Sequence, residues 1–326
     1  NAYICLNKMK NVAIITGGDS KEFDISLKSA ETVYKNIDRE KYNPFLILIR
    51  NNKWEIKVDN KLHEINSSLK TKVNGKELNF KDVFMVLHGP PAENGELQKS
   101  LEKNKIKYTC CDSKTSKLTF DKFRCNQLLF TKDYFIANSI LISQDHMIST
   151  EEIKTNFNLP LIIKPNQAGS SNGISLVKNY EEIPDAIKLA SVHDNEIIIE
   201  EYIKGTEVSC GIFKIKDQIN LLPITEIVSE NDFFDYDAKY NNKSEEITPA
   251  RITKTETKLI HQTTEKIYKE LGLKGICRID FIIKNSKPFV IEINTIPGLS
   301  EKSIIPKQLK VAGYNLKEVF SICLEN

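Results

Sequence analysis

Two neighbouring segments near the C-terminus, Arg278-Ile-Asp-Phe-Ile-Ile and Pro288-Phe-Val-Ile-Glu-Ile-Asn294, carry the residues best suited to chemistry. Both are β-rich, and the polar turn Lys284-Asn-Ser-Lys287 between them predicts a hairpin. A symmetric loop sets Asp280 opposite Glu292 and Arg278 opposite Asn294. Alternation along a strand puts Glu292 and Asn294 on one face. That face then holds two carboxylates, an amide and a guanidinium among apolar residues. Such charges are costly to bury unless they are paired or bind a cation. Hard oxygen donors on a rigid sheet suit Mg²⁺, which keeps water and phosphate oxygens in its other positions. A solvated sheet face with a salt bridge is the competing reading of the hairpin alone.

Upstream lies the small-residue loop Gln167-Ala-Gly-Ser-Ser-Asn-Gly173. It contains a formal G-x-S-x-G, but a nucleophile elbow needs a helix after the serine, and Ile174-Ser-Leu-Val reads as a strand. His193 and His261 stand in no distinctive setting for a triad. A hairpin tip folding over phosphates fits better, since glycines permit close approach while amides and hydroxyls donate to anionic oxygens. An idle surface hairpin is the alternative. Lys164, between Ile163 and Pro165, either snorkels or presents a point charge to a phosphate. No P-loop and no G-x-G-x-x-G occurs, so nucleotide binding requires another architecture. The run Ile197-Ile-Ile-Glu-Glu-Tyr-Ile203 offers apolar surface to an adenine and backbone groups to its edge, with Glu207 available to ribose hydroxyls.

The elements that position these residues alternate. Asn11-Val-Ala-Ile-Ile-Thr16 is a buried strand ending in Gly17-Gly18. A helix follows through Ile25, Ala30, Val33, Tyr34 and Ile37, with Asp24 or Ser26 as its cap. Strands over Asn43–Ile49 and Asp82–Leu87, a helix over Glu96–Lys103 and a strand over Lys107–Cys111 complete an N-terminal parallel-sheet unit. Ligands in such sheets collect at strand C-termini, where Gly17-Gly18 and His88-Gly89 fall. A composition shift near Ser113–Thr119 marks a boundary. Beyond it come a helix over Asp121–Phe130, strands over Leu159–Pro165 and Ile174–Lys178, a helix over Tyr180–Ala190 and a strand over Glu196–Ile203. From Glu207 onward the chain builds a second β-rich unit containing the hairpin. The expected domains are residues 1–116, 117–204 and 205–326, with residues 1–8 read as an extension because Met9 precedes the first strand.

Composition narrows the function. The chain has 326 residues, 46 basic and 44 acidic, for a net charge of +2. Scattered charge of both signs argues against nucleic acid as a partner. The seven cysteines are odd in number, which fits free thiols in a reducing cytoplasm. No apolar run reaches the roughly 20 residues of a membrane helix, and no signal-peptide core opens the chain.

Taken in order, these residues resemble the ATP-grasp enzymes and, more narrowly, the D-alanine–D-alanine ligases. The resemblance covers nearly everything from Lys10 onward. Its motifs are Gly17-Gly-Asp-Ser-Lys-Glu-Phe-Asp-Ile-Ser-Leu27, His88-Gly with Glu93-Asn-Gly-Glu-Leu-Gln98, Lys164-Pro with Gly169-Ser-Ser-Asn-Gly173, Phe233-Phe-Asp-Tyr-Asp-Ala-Lys-Tyr240, and Glu292-Ile-Asn-Thr-Ile-Pro-Gly-Leu299. The fold it implies is an α/β N-terminal domain followed by a two-part α+β ATP-grasp unit. The chemistry it implies is phosphorylation of one D-alanine carboxylate by ATP and attack of a second D-alanine's amine on the acyl phosphate, for peptidoglycan precursors. Implied metal ligands are Asp280, Glu292 and Asn294, holding two Mg²⁺ or Mn²⁺ ions. Implied ATP contacts are Lys122, Lys164, Ser170, Ser171, Glu200, Glu201, Tyr202, Ile203, Glu207, Lys239 and Phe281. Asp24, His88, Arg278, Gly298, Ser303 and Ile304 would hold the two amino acids, with Arg278 and Gly298 at the oxyanion. Asp24, Ser170 and Tyr240 would link the N-terminal domain, the phosphate loop and a lid. A homodimer in the cytoplasm is also implied. Three departures stand out. Aspartate at 24 replaces the family's usual glutamate, Phe234 replaces a common tyrosine, and Pro90-Pro-Ala92 stiffens the loop after His88. Tyr240 points to dipeptide rather than D-lactate ester synthesis. A ligase for another amino acid or hydroxy acid, or an ATP-binding regulatory module, is the alternative. The module would tolerate loss of Arg278 or the metal ligands, and all are present.

Overall fold

A computed structural model describes residues 9–143, 146, 148–229 and 244–325. Its first sheet is built around Lys10–Gly17, which pairs in parallel with Tyr42–Arg50 on one side and Asp82–Met85 on the other; Lys107–Tyr108 adds a short parallel edge. Val12 to Ile15 are all fully buried because helices cover both faces, as a parallel strand requires. Val12 and Ile14 pack with Ala30 and Val33 of the first helix, Phe23–Asn36. Ala13 and Ile15 pack on the opposite face with Leu97 and Leu101 of the helix Glu96–Lys103.

Residues 53–79 add four short strands absent from the sequence expectations: Lys53–Val58, Lys61–Glu64, Lys70–Val73 and Lys76–Asn79. Asn51-Asn52, Asp59-Asn60 and Asn74-Gly75 form their turns, each with positive φ at both residues. That conformation favours two-residue hairpins, and Asn, Asp and Gly adopt it most easily. The last helix, Leu316–Glu325, returns to the first sheet, where Phe320 meets Phe84 edge-on at 5.2 Å. The C-terminal segment therefore shares a core with the N-terminal sheet.

A four-stranded antiparallel sheet carries Ser139–Ser143, Glu196–Glu201, Leu161–Pro165 and Ser175–Val177 in that order. A seven-stranded sheet follows, with Thr206–Ile215 and the hairpin Cys277–Lys284/Lys287–Asn294 at its centre and the helix Lys254–Glu270 packed on it. The hairpin forms, with Asp280 opposite Glu292 and Arg278 opposite Asn294. Its route to that register differs from a simple symmetric loop. The turn is Asn285-Ser286, both with positive φ, and Lys284 pairs with Lys287. That two-residue turn alone would set Asp280 against Ile291. A bulge between Asp280 and Phe281 inserts one residue on the partner strand, so Phe281 pairs with Val290 while Asp280 pairs with Glu292. The bulge thus brings Glu292 and Asn294 onto the face of Arg278 and Asp280.

Gly275, just ahead of the hairpin, joins the first sheet to the third. Its φ is +69°, and a Cβ there would lie 2.0 Å from the Thr109 carbonyl oxygen. Gly313 also has positive φ (+79°) but has nothing within 4 Å of such a Cβ. Gly313→Ala should cost only the left-handed strain of about 1 kcal/mol, whereas Gly275→Ala should add a backbone collision. The expected outcome is a clearly larger fall in Tm for Gly275→Ala; equal losses by thermal unfolding would contradict the close approach.

Candidate active site

On the hairpin face every charge has a partner. Arg278 donates from Nε and Nη2 to the two Asp280 carboxylate oxygens at 2.8 and 2.7 Å. Ser209, across the sheet on Thr206–Ile215, donates to Asp280 Oδ1 at 2.5 Å. Asn294 Nδ2 donates to Asp280 Oδ2 at 2.9 Å and to Glu292 Oε1 at 3.3 Å. Lys122 Nζ stands 3.4 Å from Glu292 Oε2 and donates to the Ala168 carbonyl at 2.7 Å. Burial opposes the Arg278 charge, but the Asp280 carboxylate more than offsets it and raises the guanidinium pKa. The two carboxylates and the Asn294 amide are hard oxygen donors on one rigid face, the donor chemistry that Mg²⁺ requires.

Lys122 opens the helix Lys122–Phe130, whose N-terminus is capped by Asp121 and tied to buried Asn166 by the Phe123 amide at 2.9 Å. Asn166 directly follows the strand of Lys164, so both lysines share one anchor. Lys164 Nζ is paired with Glu200 Oε1 at 2.5 Å, and both are buried. Near them the loop of residues 167–173 turns through Ser170 and Ser171, both with φ near +55°. Two successive non-glycine residues in the left-handed region store strain, a frequent mark of a working site. Strand rather than helix follows this loop, over Ser175–Val177, which excludes the nucleophile elbow.

Two cavities meet here. One is lined by Lys164, Ser171, Ile174, Glu200, Glu201, Tyr202, Ile203, Glu207 and Asp280. The other is lined by Glu22, His88, Glu93, Asn294, Gly298, Ser303 and Ile304. Lys122, Ala168, Ser170, Glu246, Arg278, Glu292 and Ile304 line both, so Arg278 and Glu292 of the hairpin, with Lys122 and Ser170 beside them, form the charged wall between them. Ser303 stands at the N-cap of the helix Ile304–Val311, and Ser303 and Ile304 both line the second cavity.

Several expectations need correction. Asp24 is exposed on the first turn of its helix and lines neither cavity; Glu22 occupies the position expected of it, accepting a very short hydrogen bond from Ser170 Oγ. The helix begins at Phe23 with neither Asp24 nor Ser26 capping it, and this turns Asp24 outward. Phe281 is fully buried in the core under the sheet, because alternation sends it away from Asp280; Ile282 lines the cavity instead. Lys239, Tyr240 and Phe233–Tyr240 as a whole lie outside the described residues. Sequence reasoning quoted Glu93 within a motif without giving it a role. It is half-buried and lines the second cavity, and desolvation, then the Glu22 charge, push its pKa up to about 8.

Comparison with known proteins agrees along the whole chain. The families described as "D-ala D-ala ligase N-terminus" and "D-ala D-ala ligase C-terminus" match residues 11–111 and 130–325. The D-alanine–D-alanine ligase of Flavobacterium johnsoniae is 45% identical over 97% of this chain and 99% of its own. That of Parabacteroides distasonis is 40% identical over 97% of each. Among solved structures, the VanG D-Ala:D-Ser ligase of Enterococcus faecalis superposes with a TM-score of 0.87 at 32% identity, covering 98% of this chain and 99% of that one. The Bacillus anthracis D-alanine–D-alanine ligase complexed with ATP gives 0.77 at 25% identity, covering 98% and 96%.

The raised Glu93 pKa has a measurable sign. The folded state holds a proton on Glu93 that the unfolded chain releases above the ordinary carboxylate value of 4.5, so this group weakens the fold as pH rises from there toward 8. Glu93→Gln removes that cost. The expected result is a variant with higher Tm than wild type near pH 8 and an advantage that fades by pH 5; an advantage independent of pH would show that Glu93 is not held protonated.

Proposed function

The chain belongs to the D-alanine–D-alanine ligase family and is an ATP-dependent ligase that forms D-alanyl-D-alanine for peptidoglycan precursors, and from that premise we propose how its own residues divide the work. The observation that carries the assignment is the wall of charged residues shared by the two cavities. ATP would lie in the first, its adenine against Ile174 and Ile203, its ribose at Glu207, and its phosphates between Lys122, Lys164 and the loop amides around Ser170 and Ser171. The first D-alanine would lie in the second, with its ammonium toward Glu22 and its carboxylate against Arg278. Asp280, Glu292 and Asn294 would hold two Mg²⁺ ions, which supply charge on the transferring phosphoryl group when bound.

A carboxylate oxygen of the first D-alanine attacks the γ-phosphorus, the bond to the β-phosphate oxygen breaks, and ADP leaves. The second D-alanine, its carboxylate at the helix N-terminus of Ser303 and Ile304, gives up an ammonium proton to solvent, and its amine attacks the acyl carbon. Arg278 and the Gly298 amide face the oxygen on which negative charge develops. Collapse of that intermediate breaks the bond to phosphate and leaves the dipeptide. Alignment and exclusion of water carry most of the rate in such a reaction. The family resemblance supports a homodimer, and the ATP requirement and buried thiols suit a cytoplasmic setting.

A second acceptor is a specific alternative, since one structural relative is titled a D-Ala:D-Ser ligase. A panel of D-alanine, D-serine and D-lactate with ATP and Mg²⁺ decides it: D-alanine alone should support ADP release and dominate the product. For the metal assignment, Glu292→Gln should abolish turnover while the chain still folds, with some fall in Tm because Lys122 loses its carboxylate partner. Near-normal activity at modest Mg²⁺ would remove Glu292 from the metal site.

A further inference from the structure

The inner face of the first helix carries Ser26 and Ser29, one turn apart and fully buried, where packing against an apolar sheet would favour alanine. Both hydroxyls are used, and both are used on His88. Ser26 Oγ accepts the His88 amide at 2.9 Å while donating to the Glu22 carbonyl at 3.2 Å. Ser29 Oγ lies 3.2 Å from His88 Nε2 and accepts the Leu299 amide at 3.1 Å. Ser20 Oγ adds a third contact, donating to the His88 carbonyl at 3.3 Å. His88 itself is only 4% exposed.

Ser29 has a single proton to give. The Leu299 amide is a donor and cannot take it, which leaves His88 Nε2 as the acceptor among the contacts of Ser29 in the described residues. That nitrogen is then the unprotonated one, and the ring carries its hydrogen on Nδ1. The same hydroxyl fixes the Gly298–Leu299 peptide, which sets the direction of the Gly298 backbone. Room there is tight: a Cβ on Gly298 would lie 2.8 Å from Ser303 Oγ.

We propose that Ser29 is a positioning residue for the ligation, locking His88 as its Nδ1–H tautomer and holding the Gly298–Leu299 peptide so that both sides of the donor cavity keep one geometry. It touches neither substrate and acts through the two groups it grips. The inference rests on the assignment of His88 and Gly298 to the donor subsite.

Long-range ¹H–¹⁵N correlation on the holoenzyme labelled at its five histidines reads the tautomer directly, with His88 identified by the signals lost in His88→Gln. Wild type should show His88 protonated on Nδ1. Ser29→Ala should lose that signature and lower kcat on the order of 10²-fold with KM for ATP unchanged, because small misplacements at a reacting centre are expensive. Ser29→Thr, which keeps the hydroxyl, should recover both. Protonation on Nε2 in wild type, which needs no variant to be observed, or normal kcat in Ser29→Ala, would overturn the proposal. A chain with the Nδ1–H signature but no D-alanine-dependent ADP release would overturn the ligase assignment and the positioning role with it. A working ligase with the wrong tautomer overturns the positioning role alone.

Discussion

Everything at this site depends on pairing four charges at one sheet face: buried Asp280, partly buried Arg278 and Glu292 on the hairpin, and Lys122 reaching in from its helix. Arg278, Asp280, Glu292 and Lys122 form a chain of contacts in which each carboxylate meets a cation, and Ser209 and Asn294 fill the remaining hydrogen-bonding positions. Removing one member would leave a buried charge unmatched, which costs far more than the intact pair contributes to stability. The arrangement is therefore better understood as preorganised for phosphate, metal and carboxylate charge than as a device for holding the fold together. The bulge is what makes it possible, since an unbulged hairpin would present Ile291 and Ile293 in place of Glu292 and Asn294.

The surrounding fold brings three separate pieces to that face. The four-stranded sheet contributes Lys164 and the loop with Ser170; the first helix and the segment leading into it contribute Glu22; the helix at Lys122 spans the boundary. Ser170 and Glu22 join across 148 residues of sequence, and a side chain at Gly169 would collide with the Glu22 carboxylate. The return of the last helix to the first sheet, through Phe320 and Phe84, fixes the angle between the first and third sheets. Rigid packing far from the chemistry thereby sets distances at the site.

Much of this was legible in the residues. The hairpin, the small-residue loop after Lys164 and the succession of strands and helices follow from turn chemistry and alternation. The bulge did not, because nothing in Pro288–Asn294 distinguishes an extra residue from a regular strand; a symmetric Lys284–Lys287 turn by itself sets Asp280 against Ile291, and the expected pairing with Glu292 exists only through the bulge. Alternation alone removes Phe281 from the site, since it neighbours an inward Asp280. Asp24 and Glu22 are two residues apart in one motif, and only the start of the helix at Phe23 decides which faces the cavity. The strands of residues 53–79 carry turn dipeptides that announce them, hidden under a lysine-rich surface composition. Ser26 and Ser29 look like ordinary helix residues until their partners, 62 and 270 positions away, are in place.

The central claim is that a donor carboxylate and the γ-phosphate of ATP meet at the wall shared by the two cavities and form an acyl phosphate there. The direct test uses D-alanine labelled with ¹⁸O in its carboxylate and follows the inorganic phosphate released during dipeptide synthesis by ³¹P NMR. In an acyl phosphate the bridging oxygen comes from the carboxylate and departs with phosphate. The account predicts one ¹⁸O transferred to phosphate for each dipeptide formed. Phosphate released without label, with both oxygens of the carboxylate otherwise accounted for, would contradict it.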